Sequence, residues 1–136
     1  MFKLIKINNV GVNVPEPISL KKDANTILGP AAALVINASG NAANCGETTK
    51  PKYISIKGAG KGETRILAYE ITPNMVFLTK LIGEAETLKV GNKVTLCSDE
   101  NGFTSFVSST TTSGVATIYD LSEASGAGSN IAVKFE

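Results

Sequence analysis

The sequence predicts an all-β fold, a small barrel-like domain of short antiparallel strands. Three observations predict it. Short apolar segments rich in β-branched residues recur from end to end, separated by glycine, proline, asparagine and serine. Two of them alternate with period two, Leu67, Tyr69 and Ile71 against Ile66, Ala68 and Glu70, and Ile131, Val133 and Phe135 against Ala132, Lys134 and Glu136, so that one side can face a core. The third observation is an internal repeat. Thr26-Ile27-Leu28-Gly29, Leu34-Val35-Ile36, Gly40, Thr48-Thr49, Gly58-Ala59-Gly60 and Leu67 to Ile71 are matched in order by Thr87-Leu88, Gly91, Val94-Thr95-Leu96, Gly102, Thr111-Thr112, Gly126-Ala127-Gly128 and Ile131 to Phe135. The chain thus contains its own half twice, about sixty residues apart.

Taken in order, residues 1–16 are either an N-terminal arm or the first strand. Phe2, Leu4, Ile5 and Ile7 alternate only imperfectly with Lys3 and Lys6, and Pro15 and Pro17 stiffen the exit from this segment. Strands are expected near 3–8, 32–37, 52–57, 64–71, 75–81, 93–98, 103–107, 114–119 and 129–135. Lys80 to Leu88 could form a turn of helix, but Gly83 and the brevity of the run suit a loop at least as well. At 136 residues the chain is one β domain over 1–136, with halves at 17–72 and 73–136. Neither half alone is large enough to bury a core of its own.

Charge and composition narrow the function classes. Thirteen basic against 12 acidic side chains leave no overall field to draw nucleic acid or an anionic membrane, so neither is an expected partner. No apolar run approaches the roughly 20 residues of a membrane helix, and the start at Met1 to Lys6 lacks the apolar segment and cleavage site of a signal peptide, so synthesis in a cytoplasm is expected. Cys45 and Cys97 stand far apart, and histidine is absent. This argues against a zinc site, favours two free thiols over a disulfide, and removes the commonest general base. No catalytic residue, cofactor site or metal site is assigned.

Lys57 to Arg65 is the one stretch with the look of phosphate chemistry. A phosphate loop needs G-x-x-x-x-G-K-[ST] with a helix behind it, because N–H groups, lysine and hydroxyl must converge on one anion. Here Gly62 follows Lys61, Thr64 comes late, and the run Arg65 to Ile71 reads as a strand. The matching stretch around Gly126-Ala127-Gly128 has no lysine, so what the two copies share is a turn. Asp99-Glu100-Asn101-Gly102 is the densest acidic cluster, and its composition is that of a tight hairpin. Ser108 to Ser113 is a hydroxyl-rich loop. Phe103 and Phe106 fall on opposite faces if extended, leaving one to meet a partner.

Leu88-Lys89-Val90-Gly91-Asn92-Lys93-Val94-Thr95-Leu96, then Gly102, then Ser113 to Ile118, then Gly128 to Phe135 follow a pattern of G-x-x-V, turn, G-V-A, loop, G-x-x-I-x-V-x-F. In this the sequence resembles small head-decoration proteins of tailed bacteriophages and prophages. Thr26 to Gly29, Leu34 to Ile36, Lys50 to Ser55 and Ile71 to Met75 resemble the earlier strands of that family, so the likeness spans nearly the whole chain. It departs at Ala31-Ala32-Ala33 and in the longer loop Ser122 to Ser129. The resemblance implies a structural virion protein without enzyme activity that binds the outer face of an assembled capsid. It also implies the major capsid protein as partner and an oligomer, with a trimer favoured. Phe2, Lys3, Leu4, Ile5 and Lys6 are the expected capsid-binding residues, because this segment could add as a strand to a sheet edge of a capsid subunit. A carbohydrate- or receptor-binding β module of a virion is the alternative.

Overall fold

The computed structural model describes residues 1–136 except 8–9, 12–14, 112–113 and 125–127. Two antiparallel-rich sheets carry the structure, and among the described residues there is no helix. The first is built wholly from one half: β3 (Ile18–Lys21), β4 (Ala33–Ile36), β5 (Ala42–Asn44), β6 (Tyr53–Ser55) and β7 (Arg65–Glu70), in the order β3-β7-β6-β4-β5. The second has eight strands. It joins β1 (Lys3–Ile7) and β2 (Val10–Gly11) to β8 (Met75–Ile82), β9 (Lys93–Val94), β10 (Leu96–Ser98), β11 (Thr104–Ser108), β12 (Ala116–Asp120) and β13 (Asn130–Lys134).

Each half repeats one strand order. In the first, the opening strand lies beside the last, the last beside the fourth, the fourth beside the second, and the second beside the third. In the second, β8, β13, β12, the pair β9–β10 and β11 take the same places. The registers agree as well. Tyr53 faces Glu70 and Ile54 faces Tyr69, while Thr117 faces Lys134 and Ile118 faces Val133, which is the match of Tyr69 to Val133 read from the sequence. One strand is shifted: Leu34 pairs with Tyr53 as Lys93 pairs with Thr117, so Leu34 corresponds to Lys93 rather than to Val94. Gly126 and Ala127 lie outside the described residues.

Neither sheet is a closed barrel, which corrects that part of the expected architecture. The five-stranded sheet is open, with β3 and β5 at its edges. In the larger sheet the run 93–98 bends at Thr95, so that β9 pairs with β12 while β10 pairs with β11. β11 then turns against β8 in parallel, with Val107 opposite Leu81. The 80–88 segment is not helical: β8 continues through Ile82, and Gly83 follows at φ 107°, a left-handed value that favours glycine.

Alternation explains the packing. Inward residues of β6 and β7, Ile54 and Tyr69, meet Phe77, Leu81, Ile118, Ile131 and Val133 of the larger sheet in one core. Phe2 is 1% exposed at its centre, edge-on to Phe77 and Phe135 with ring centroids 6.5 and 5.3 Å away. A smaller cluster of Leu28, Leu34, Ala42, Ala59, Ile66 and Ala68 lies on the other face of the five-stranded sheet. It is roofed by a bridge in which Leu28 and Ala59 exchange N–H···O bonds of 2.9 Å. Polar contacts stitch the halves together: the Asn44 amide donates to the Gly102 carbonyl at 3.0 Å and accepts the Thr104 N–H at 2.9 Å, and the Thr104 hydroxyl donates to the Cys45 carbonyl.

Candidate functional site

Lys3–Ile7 form a strand of the domain itself, and Phe2 directly precedes it. β1 runs antiparallel to β8, with Lys3 opposite Leu78 and Leu4 opposite Phe77, and the Phe2 N–H donates to the Ala31 carbonyl at 2.9 Å. A bulge between Leu4 and Lys6 resets the alternation. Phe2, Leu4 and Ile7 therefore pack on the core, while Lys3 and Lys6 belong to the outward rows of the sheet. Ile5, at the bulge, lines a shallow depression with Leu78 and Ala132. Of the five residues expected to touch a capsid, Phe2 is thus inaccessible in the folded domain, and Lys3, Ile5 and Lys6 are the ones presented outward.

Strand pairing brings other side chains to the same face. Lys80 lies opposite Asn130, Lys134 opposite Thr117, and Thr117 opposite Lys93, all at outward positions between the buried residues of their strands. The Lys6 and Lys134 ammonium groups stand 5.6 and 5.0 Å from the centroid of Tyr119, and that of Lys80 stands 5.8 Å from the centroid of Phe106. Sequence reading missed Lys80, Lys93 and Lys134 as companions of Lys3 and Lys6. Each could be placed outward by alternation, but only the strand order shows that they share a face.

The glycine-rich stretch holds itself together. Lys22, 3% exposed, donates to the carbonyls of Asp23, Gly60 and Glu63 at 2.8, 3.0 and 3.0 Å. The N–H groups of Ala59, Gly62 and Glu63 donate to the carbonyls of Leu28, Ala24 and Gly60. An anion loop needs those N–H groups turned outward. Here they are engaged, and Gly62 at φ 87° makes the turn.

The acidic hairpin is likewise committed. One Asp99 carboxylate oxygen accepts the N–H groups of Asn101 and Phe103 at 2.9 and 3.0 Å, and the other accepts the Ser105 hydroxyl at 3.1 Å. Among the described residues no three histidine, cysteine or acidic side chains gather as a metal site. Both cysteines are free thiols. Cys45 is buried with its thiol donating to the Thr49 carbonyl at 3.0 Å, and burial pushes its pKa up to about 11. Burial and then the Glu47 carboxylate push Cys97 upward as well. Ser113 of the hydroxyl tract lies outside the described residues.

No protein-family model matches the chain, and no curated protein matches it. Among solved structures, the fold is similar to the N base of head fiber gp8.5 of bacteriophage phi29. The TM-score is 0.53 at 15% identity, covering 89% of this chain and 95% of that one. At that identity the likeness is one of fold, and it extends over both halves and both sheets.

Proposed function

We propose that this chain is a structural protein of a bacteriophage virion that binds the outer surface of the assembled head and stabilises it. The observation that carries the reading is the likeness of fold to the base of a phage head fiber, which spans nearly the whole of both chains. The strand-and-turn pattern from Leu88 to Phe135 supports the same reading independently. The role is one of binding and not of catalysis, for a chain without histidine whose buried polar groups serve its own turns. The partner is the major capsid protein, the site is the capsid exterior, and the working unit is an oligomer with a trimer favoured. Mixing the purified protein with undecorated, expanded heads of its phage tests this. Saturable co-sedimentation and a raised melting temperature of the heads are expected; a protein that stays in the supernatant at every concentration would refute the reading.

A further inference from the structure

We infer that the outer face of the larger sheet, carrying Lys3, Lys6, Lys80, Lys93 and Lys134, is a docking surface for an acidic patch on a folded protein. The inference rests on the proposed function in taking that protein to be the head surface. Its own basis is the distribution of charge. Across the outward rows, Lys93, Thr117 and Lys134 follow one another, and Asp120, Ala132, Leu78 and Lys3 form the next row. Asp120 is the one carboxylate in these rows, and its oxygen is engaged by the Ser122 N–H at 2.8 Å. None of the residues left undescribed is charged, so they cannot alter this inventory. Five lysines against Asp120 and Glu123, which lines the same depression, leave eight basic and ten acidic side chains for the rest of the chain. A nearly neutral protein is therefore electrically two-sided.

Such a face works against the stability of the isolated domain. Like charges across neighbouring strands repel, and surfaces serving solubility alone mix the two signs. Among the described residues none of the five lysines is in a salt bridge with an acidic side chain; Lys6 interacts electrostatically with Asp120, and the other contacts are to aromatic rings and, for Lys93, a main-chain oxygen of Glu136 at 3.5 Å. An acidic partner relieves this repulsion and steers encounter. A depression at the centre of the face is lined by the apolar Ile5, Leu78 and Ala132 together with Asp120, Ser122, Glu123 and Asn130. Apolar side chains inside a polar and charged rim are the anatomy of a protein–protein contact. A single-stranded nucleic acid would need open aromatic faces for base stacking. Tyr119 and Phe106 instead have ammonium groups over their rings.

The test compares the face variant K80E/K93E/K134E with a control of equal charge change, K50E/K57E/K61E, on the other half. In the wild type, affinity for undecorated heads should fall steeply as salt rises toward a Debye length of about 3 Å at 1 M. The face variant should keep or raise the melting temperature while losing at least about tenfold in affinity, and the control should bind like the wild type. Equal binding by the face variant, or equal loss in the control, overturns the inference. If the wild type ignores heads altogether, the proposed function falls, and the docking face is then decided by titrating the labelled protein with poly-L-glutamate. Amide shifts confined to β1, β8, β9, β12 and β13 uphold it, and shifts elsewhere or none overturn it. A thymidine oligonucleotide of equal charge that shifts the same amides at lower concentration than polyglutamate overturns it in favour of nucleic acid.

Discussion

The two halves share a strand order but differ in what lies on their outer faces. In residues 18–70 the loops around Leu28 and Ala59 fold back over the sheet and bury a second, small cluster, and Lys22 fastens the glycine-rich turn beneath them. In residues 75–134 no such roofing cluster occurs among the described residues; the corresponding face carries lysines and a shallow depression. The halves also end their third strands differently. β5 stops at a sheet edge, whereas β11 turns in parallel onto β8. One strand plan thus has two outcomes: in one copy the outer face is closed by its own loops, and in the other lysines stand on it.

The comparison breaks most completely if the halves are separated. Because Ile54 and Tyr69 share a core with Phe77 and Ile118, residues 1–72 and 73–136 expressed apart should each lack a cooperative unfolding transition. A dispersed amide spectrum from either piece would show that the shared core is dispensable. Next in size, Phe2→Ala removes a ring from the common core and should cost about 4 kcal/mol, while Leu28→Ala in the roofed cluster should cost about 2 kcal/mol. Denaturant titration of both variants checks the ranking, and equal losses would mean that the roof matters as much as the shared core.

Lys22→Met is a finer probe of the first half. It leaves the carbonyls of Gly60 and Glu63 without their donor, so a loss of about 1–3 kcal/mol is expected, with amide exchange in residues 57–64 rising first. The smallest effect concerns alkali. Burial holds the Cys45 thiol near 11 and the Tyr69 phenol near 12, against ordinary values of 9.0 and 10.0. Between those limits the unfolded chain releases protons that the folded chain retains. Stability from these groups is therefore complete below pH 9.0 and declines as pH rises from 9.0 toward 12. Denaturant midpoints measured across that window should fall, and Cys45→Ala should flatten the lower part of the slope.

Much of the fold was legible. Each of the nine expected strands is present, because each has a β-branched run that reads the same in any context. β2, β3 and β5 were not legible. Ile18 to Lys21 follows directly on Pro17, and Ala42-Ala43-Asn44 is weakly β-forming and depends on pairing with Leu34 to Ile36. The choice between an arm and a strand within residues 1–16 stayed open in the sequence because the bulge at Ile5 spoils the period. The lysine face illustrates a further limit. Side-chain direction is local and can be read along a strand, whereas the neighbours of a strand are set by long-range pairing that the sequence does not display.

The position of Leu78 has a consequence for the order in which the molecule can be made. It has Lys3 on one side and Ala132 on the other, so the earliest and the latest segments of the chain meet across a single residue of β8. On a translating ribosome Phe2 is made 133 residues before Phe135, one of the rings that enclose it. Synthesis at about 5–20 residues per second leaves that aromatic side chain without its full enclosure while the intervening residues are made. The core therefore cannot close until Phe135 has been made, and its exposure to wrong partners lasts at least as long as the synthesis of that stretch.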